Sequence, residues 1–181
     1  MRTTNAEMSA GRGAADKGET GTGRAATVVP PDAGDTAWVG SELVAFKLTG
    51  RATADACMLT VNATLPHGGP PLHRHSREDE FFYVLEGEFL VQSDGQTTRA
   101  APGTAVSLPR GTTHTYTNAG TAPGKLLVLC VPAGIERFWA EVGQPGSDVA
   151  SPPPPPTPAQ LEHLATAALH YGIEVVGPPL G

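Results

Sequence analysis

Between Thr36 and Pro132 apolar and polar positions alternate in short runs: Ser41–Leu48, Ala56–Leu65, Glu80–Leu85, Glu88–Ser93, Ala105–Leu108, His114–Thr117 and Lys125–Val131. A period of two marks a strand with one face turned inward. Turn-forming residues separate the runs, as in Gly68-Gly69-Pro70-Pro71, Glu86-Gly87, Asp94-Gly95, Pro102-Gly103 and Pro109-Arg110-Gly111. Many short strands so punctuated predict an all-β sandwich or barrel. Parallel strands would need crossovers of roughly a dozen residues, and the gaps leave no room for them.

The pattern changes at both ends. Met1 to about Asp35 carries Gly, Ala, Thr and mixed charge with hardly a bulky apolar side chain. Such a segment cannot bury enough surface to offset its ordering entropy, which predicts a disordered tail over 1–35 with one candidate strand at Thr27–Val29. Ile135–Val142 predicts a short helix bearing Phe138 and Trp139, and Pro152–Pro156 a stiff spacer. Thr157 as N-cap, Pro158 at the first helical position and Gln160 completing a capping box predict a second helix. Its docking face is read as Leu161, Leu164, Ala165 and Ala168, with Gly172 as its stop, against the barrel or a second subunit. Ile173–Val176 is a further candidate strand. The expected organisation is a tail over 1–35, a β-barrel over 36–134 and a helical, proline-rich extension over 135–181.

Composition narrows the function classes. A chain of 181 residues suits one domain with tails. Its formal charge of −6, with no basic stripe, argues against a nucleic-acid partner. No apolar run approaches the roughly 18 residues of a spanning helix, and the first thirty residues lack a signal-peptide core, so no membrane partner is expected and the cytoplasm is the default. Cys57 and Cys130 are too few for a disulfide framework and each reads as a buried small hydrophobe.

What chemistry the chain carries concentrates around its histidines. His73 and His75 point to the same side of a strand, although an isolated pair of this kind reads more readily as two surface histidines. Glu80 lies at an odd offset from them, but a turn over the polar Ser76–Asp79 would reset the register and send Glu80, Phe82 and Val84 inward. His114, behind the Pro109-Arg110-Gly111 turn, could add a third imidazole. Three imidazoles and a carboxylate suit one divalent transition metal (Fe, Mn, Ni, Co, Cu or Zn) better than Ca or Mg. An octahedral ion held by four protein ligands keeps two positions for water, substrate or dioxygen. His67 is a weaker candidate ligand, and His163 and His170 read as surface residues of the last helix. Gly87 and Gly111 fit positions needing positive φ, while Asn118 reads equally as a wall or a turn residue.

The spacing resembles the two motifs of the cupin superfamily. The first appears as His73-x-His75, four residues, Glu80, six residues, Gly87; the second as Gly103, five residues, Pro109-x-Gly111, two residues, His114, three residues, Asn118. One position departs: His67 stands where the motif has glycine, with Gly68 and Gly69 following. The resemblance covers roughly residues 60–120 and implies a double-stranded β-helix, the jelly-roll barrel, with His73, His75, Glu80 and His114 as metal ligands.

The run from Gly68 to Gly87, with Pro132-Ala133-Gly134 and the helix after it, is most similar to bacterial single-domain cupins related to quercetin 2,3-dioxygenase. That implies ring-opening dioxygenation of a flavonol or similar enolisable aromatic, with Glu80 as the catalytic residue that takes the substrate's hydroxyl proton. Met58, Thr60, Asn62, Phe82, Phe89 and Tyr116 would line the substrate pocket and Phe138 and Trp139 its lid, though these aromatics suit core or dimer contacts at least as well. One fold and one metal site serve many reactions. A non-redox cyclase or isomerase of a polyketide-like metabolite, and a small-molecule-binding module without turnover, therefore stand beside the dioxygenase. The partners expected are a small-molecule substrate, dioxygen on the first reading, and a second copy in a homodimer, since small cupins pair through sheet edges or exchanged strands.

Overall fold

A computed structural model describes residues 25–180. The strands run β1 (Thr36–Val39), β2 (Glu42–Leu48), β3 (Met58–Thr64), β4 (Pro71–His75), β5 (Asp79–Glu86), β6 (Phe89–Ser93), β7 (Gln96–Ala100), β8 (Ala105–Leu108), β9 (His114–Asn118), β10 (Gly124–Val131), β11 (Gln144–Pro145) and β12 (Ile173–Pro179). The helices are α1 (Gly50–Thr53), α2 (Ile135–Val142) and α3 (Pro158–His170). All the pairings are antiparallel. One sheet has the order β11-β1-β2-β3-β10-β5-β8 and the other β12-β4-β9-β6-β7. No helix among the described residues is long and apolar enough to cross a membrane.

Alternation along the strands builds the interior between the sheets. In β10, Leu126, Val128 and Cys130 are buried while Lys125, Leu127 and Leu129 are half-buried; in β5, Glu80, Phe82 and Val84 are buried while Phe81, Tyr83 and Leu85 stay exposed. β3 turns Met58, Thr60, Asn62 and Thr64 inward, so the barrel has a polar stripe beside its apolar core. Phe89 is fully buried under β6, and burial of such a side chain stabilises by about 1.5–3 kcal/mol. Asn118 proves to be a wall residue: its amide donates to the carbonyls of Thr64 and Ala122 and accepts from the Gly120 N–H. Gly87 and Gly111 adopt φ of 82° and 84°, as their turns require. Gly69 has a steric reason, because a Cβ there would lie 1.9 Å from the Tyr116 carbonyl oxygen.

The ends differ from expectation in instructive ways. Of the disordered tail expected over 1–35, residues 1–24 lie outside the described residues. The candidate strand at Thr27–Val29 does not form, and Val28 is 82 % exposed. Pro30 and Pro31 follow it and offer no N–H to a ladder. The stretch from Pro30 to Asp35 is irregular but fastened, since Lys47 Nζ donates to the carbonyls of Pro30, Pro31 and Ala33. The capping box of α3 forms as read, yet its buried face is Ala167 and Ala168 with half-buried Leu164, while Leu161 is 51 % exposed and Ala165 is exposed. After Gly172, β12 pairs with β4, so the extension closes on the strand carrying His73 and His75.

Candidate metal centre

Each of the four sequence candidates reaches the same point from a different local cause. β4 alternates so that His73 and His75 are buried and Arg74 between them is exposed, where it forms a salt bridge with Glu174 of β12. The turn over Ser76–Glu78 resets the register, and Glu80 faces inward as the second residue of β5. β9 pairs with β4 so that His114 lies directly opposite His73. His67, by contrast, is exposed and takes no part, and His163 and His170 are on the outside of α3.

The nitrogen and oxygen atoms converge closely. His73 Nε2 lies 3.0 Å from His75 Nε2, His114 Nε2 is 2.9 Å from Glu80 Oε2, and His75 Nε2 is 3.3 Å from the same oxygen. All four ligand atoms fall within 4.8 Å of one another in a buried cluster that could hold a metal ion. Backbone carbonyls select the tautomers. His73 Nδ1 lies 2.8 Å from the Pro71 oxygen and His114 Nδ1 2.9 Å from the Thr112 oxygen, so each ring donates outward and turns its Nε2 lone pair to the centre. Lone pairs facing one another at such separations call for a cation between them. Adjacent ligands at roughly 2.1 Å from one ion, at right angles, would be about 3.0 Å apart, so the donor set fits a transition metal.

Burial and mutual proximity set the charge states. Burial, with His114 and His75 nearby, lowers His73 to about 3, which keeps its imidazole neutral. Burial would raise Glu80, but the imidazoles of His75 and His114 outweigh it and hold the carboxyl well below its ordinary range. For His75 burial works against the charged form, and the carboxylates of Glu80 and Glu78 reverse that and raise it. Glu80 Oε1 receives the Cys130 thiol at 3.8 Å, and burial raises that thiol well above its usual value, so it remains a donor.

This arrangement on two antiparallel sheets coincides with a match of residues 63–131 to the family model for the cupin domain. Residues 63–131 form a cupin domain. It is 28 % identical over 113 residues to quercetin 2,3-dioxygenase of Bacillus subtilis, covering 62 % of this chain and 33 % of that one. It is 26 % identical over 83 residues to the tetracenomycin polyketide synthase protein TcmJ of Streptomyces glaucescens, covering 45 % of this chain and 56 % of the relative. The chain thus spans a third to just over half of the length of these curated relatives. Among solved structures, KdgF from Halomonas sp. superposes with a TM-score of 0.57 at 19 % identity, covering 62 % of this chain and 99 % of that one, which is a likeness of fold.

The cupin cluster opens into a cavity walled by both sheets and by α2 and α3. His73, His75 and Glu80 line it, as do Asn62 and Tyr116 of the expected pocket. Met58, Phe82 and Phe89 do not line it; they are buried in the core, where Phe82 and Phe89 pack edge-on against the Tyr116 ring. Thr60, also expected there, is fully buried and donates to Asn62 Oδ1. Phe138 and Trp139, expected as a lid, line the cavity with Ile135 of α2, joined by Leu164 and Ala168 of α3. Glu136 places α2 there by accepting from the N–H groups of Gly50 and Gly134 at 2.8 and 2.7 Å.

Two carboxylates at this site escape the sequence motifs. Glu78 is buried within 3.8 Å of His75 Nδ1, which otherwise lacks a partner. Its spacing of three from His75 across a turn is the only signal available. Glu42 lines the cavity, buried at the start of β2, and accepts from Tyr116 at 2.5 Å and Thr64 at 2.8 Å. Burial pushes Glu42 up to about 7 from 4.5, against those two hydrogen bonds, which lower it. A raised folded value means that its contribution to stability is complete below 4.5 and disappears as pH rises through about 7. Thermal melts of chelator-treated protein should therefore show the wild type losing up to about 3 kcal/mol relative to Glu42→Gln between about pH 5 and about pH 8. A pH-independent difference would refute the assignment.

Proposed function

We propose that this cupin is a metal-dependent enzyme acting on a small organic substrate, and that its reaction is a quercetinase-like dioxygenation cleaving a flavonol or similar enolisable aromatic. The observation that carries the reading is the convergence of three imidazole nitrogens and one carboxylate at the wall of a largely apolar, helix-lidded cavity. His73, His75, Glu80 and His114 would hold one divalent transition metal, whose chemistry there would be to activate a chelating substrate toward dioxygen. The chain's own groups supply the rest. Val39, Ile135, Phe138, Trp139 and Leu164 exclude water and suit a flat ring system. Glu80, kept ionised, accepts the hydroxyl proton of the arriving substrate at Oε2. The likeness to quercetin 2,3-dioxygenase of B. subtilis supports this choice.

The likeness to TcmJ favours a second reading, a non-redox cyclase or isomerase of a polyketide-like metabolite. An oxygen electrode separates the two. Metal-replete protein given 3-hydroxyflavone or quercetin is expected to consume dioxygen as the flavonol absorbance is lost, with no turnover under strict anaerobiosis. Turnover of a polyketide-like substrate without dioxygen would replace this reading with the second. Saturable binding of unchanged ligand would replace both with a binding module.

A further inference from the structure

Glu42 stands apart from the motif residues and is 8 % exposed, yet it borders the same cavity as the four-residue cluster. A carboxyl in such a place is costly unless it is paired, and among the described residues no Lys, Arg or His forms an ion pair with it. Its protein partners are two neutral hydroxyls, Tyr116 and Thr64, and both donate to the same atom, Oε1. Oε2 receives no hydrogen bond from the described residues. A purely structural role, receiving those two hydroxyls, needs one neutral oxygen; glutamine would meet it without a buried acid. What the second oxygen adds is an acceptor at the cavity surface.

The position of this acceptor relative to the cluster is set by β9. His114 and Tyr116 are two residues apart on one strand face, so their Cα atoms lie ~7 Å apart. The cluster and Glu42 therefore stand at successive levels of one cavity wall, at two ends of the same ligand space. Between them the lining is mostly apolar and contains no Lys or Arg, so no side-chain cation awaits a phosphate or carboxylate on the ligand.

We propose that Glu42, oriented by Tyr116 and Thr64, is a second anchor of the cavity, exchanging a hydrogen bond through Oε2 with a hydroxyl on the end of the ligand remote from the metal cluster. A hydroxyl is the matching group because it pairs with a carboxylate as donor and with a carboxylic acid as acceptor. Burial brings Glu42 to about 7, where both forms are present near neutrality. The anchor makes the ligand a neutral, flat molecule with polar groups at two ends. It rests on the flavonol reading for its probes, and on the cavity alone for its geometry.

The test compares 3-hydroxyflavone, which has no remote hydroxyl, with 3,7-dihydroxyflavone and 3,4′-dihydroxyflavone. Binding to metal-loaded protein under anaerobic conditions is followed by fluorescence titration. At least one dihydroxy probe is expected to bind the wild type about tenfold more tightly than 3-hydroxyflavone, the scale of a hydrogen bond to an ionisable group. In Glu42→Gln the advantage should shrink to a few-fold, and in Glu42→Leu it should vanish, the advantage in each protein being the ratio of its affinities for the dihydroxy probe and for 3-hydroxyflavone. Metal content and thermal melts verify that each variant is folded and loaded; if Glu42→Leu fails there, Glu42→Gln decides. A hydroxyl advantage undiminished in a folded, loaded variant overturns the proposal, as does no hydroxyl preference in the wild type. If no probe binds the loaded wild type, the flavonol reading falls and takes this anchor with it; if the wild type retains no metal, the cluster reading itself fails.

Discussion

Replacing both His73 and His114 by alanine is expected to leave a folded protein that retains no transition metal after gel filtration, where the wild type retains about one ion per chain. The two residues face each other across the β4–β9 pair, and each presents Nε2 because a backbone carbonyl holds its Nδ1. Their removal takes away two of four donors and leaves His75 and Glu80, 3.3 Å apart, as the remainder. Loss of an outer partner of a metal ligand weakens affinity by about 10–100-fold, and loss of two ligands must exceed that. The fold should survive although the part-buried Pro71 and Thr112 carbonyls lose their imidazole donors, because His75 Nε2 and Glu80 Oε2 still face each other and Glu80 Oε1 keeps the Cys130 contact. Circular dichroism checks the fold and elemental analysis the metal. One equivalent of metal in the folded double variant would remove the premise shared by every functional reading above.

Which parts of the site were legible in the sequence follows from what each residue's neighbours reveal. The β3, β5 and β10 strands alternate so regularly that their inward faces can be read directly, and α2 begins and ends where its apolar residues do. The metal candidates were legible because turn glycines and prolines with defined spacing surround them. β7 was not, since Gln96–Arg99 are exposed and polar and form a strand only by pairing with β6. Glu42 was not legible either. A glutamate opening the run Glu42-Leu43-Val44 reads as a solvated strand end, and only the closure of β2 and β9 around the interior brings Tyr116 to it. Met58, Phe82 and Phe89 were read as pocket residues and lie in the core instead, because alternation fixes the face of a strand and says nothing about which level of the barrel is hollow. The face of α3 was read in part: Leu164 and Ala168 turn inward as expected, whereas Leu161 and Ala165 are exposed and Ala167 is buried in their stead.

Glu80→Ala is expected to abolish flavonol-dependent dioxygen uptake, and Glu80→Gln to lower it by about 10²–10⁴-fold, the range ascribed to a positioned general base. The pair separates two duties of one side chain. Glu80 is both a member of the donor cluster and, through its ionised state, the proton acceptor, and the amide of glutamine preserves an oxygen donor while removing the basicity. His75 and His114 hold the carboxyl ionised despite its burial, so it is unprotonated throughout the neutral range. The Cys130 thiol on Oε1 steers the other oxygen toward the imidazoles, opposite it in register on β10. Metal content must accompany the rates. Loss of uptake together with loss of metal would report only ligation, whereas a loaded Glu80→Gln protein that binds 3-hydroxyflavone with its hydroxyl still protonated would place the missing step at proton transfer. A loaded Glu80→Gln protein with wild-type uptake would exclude Glu80 as the base, and would leave the closure of the cavity by α2 and α3 as the chain's main contribution to the reaction.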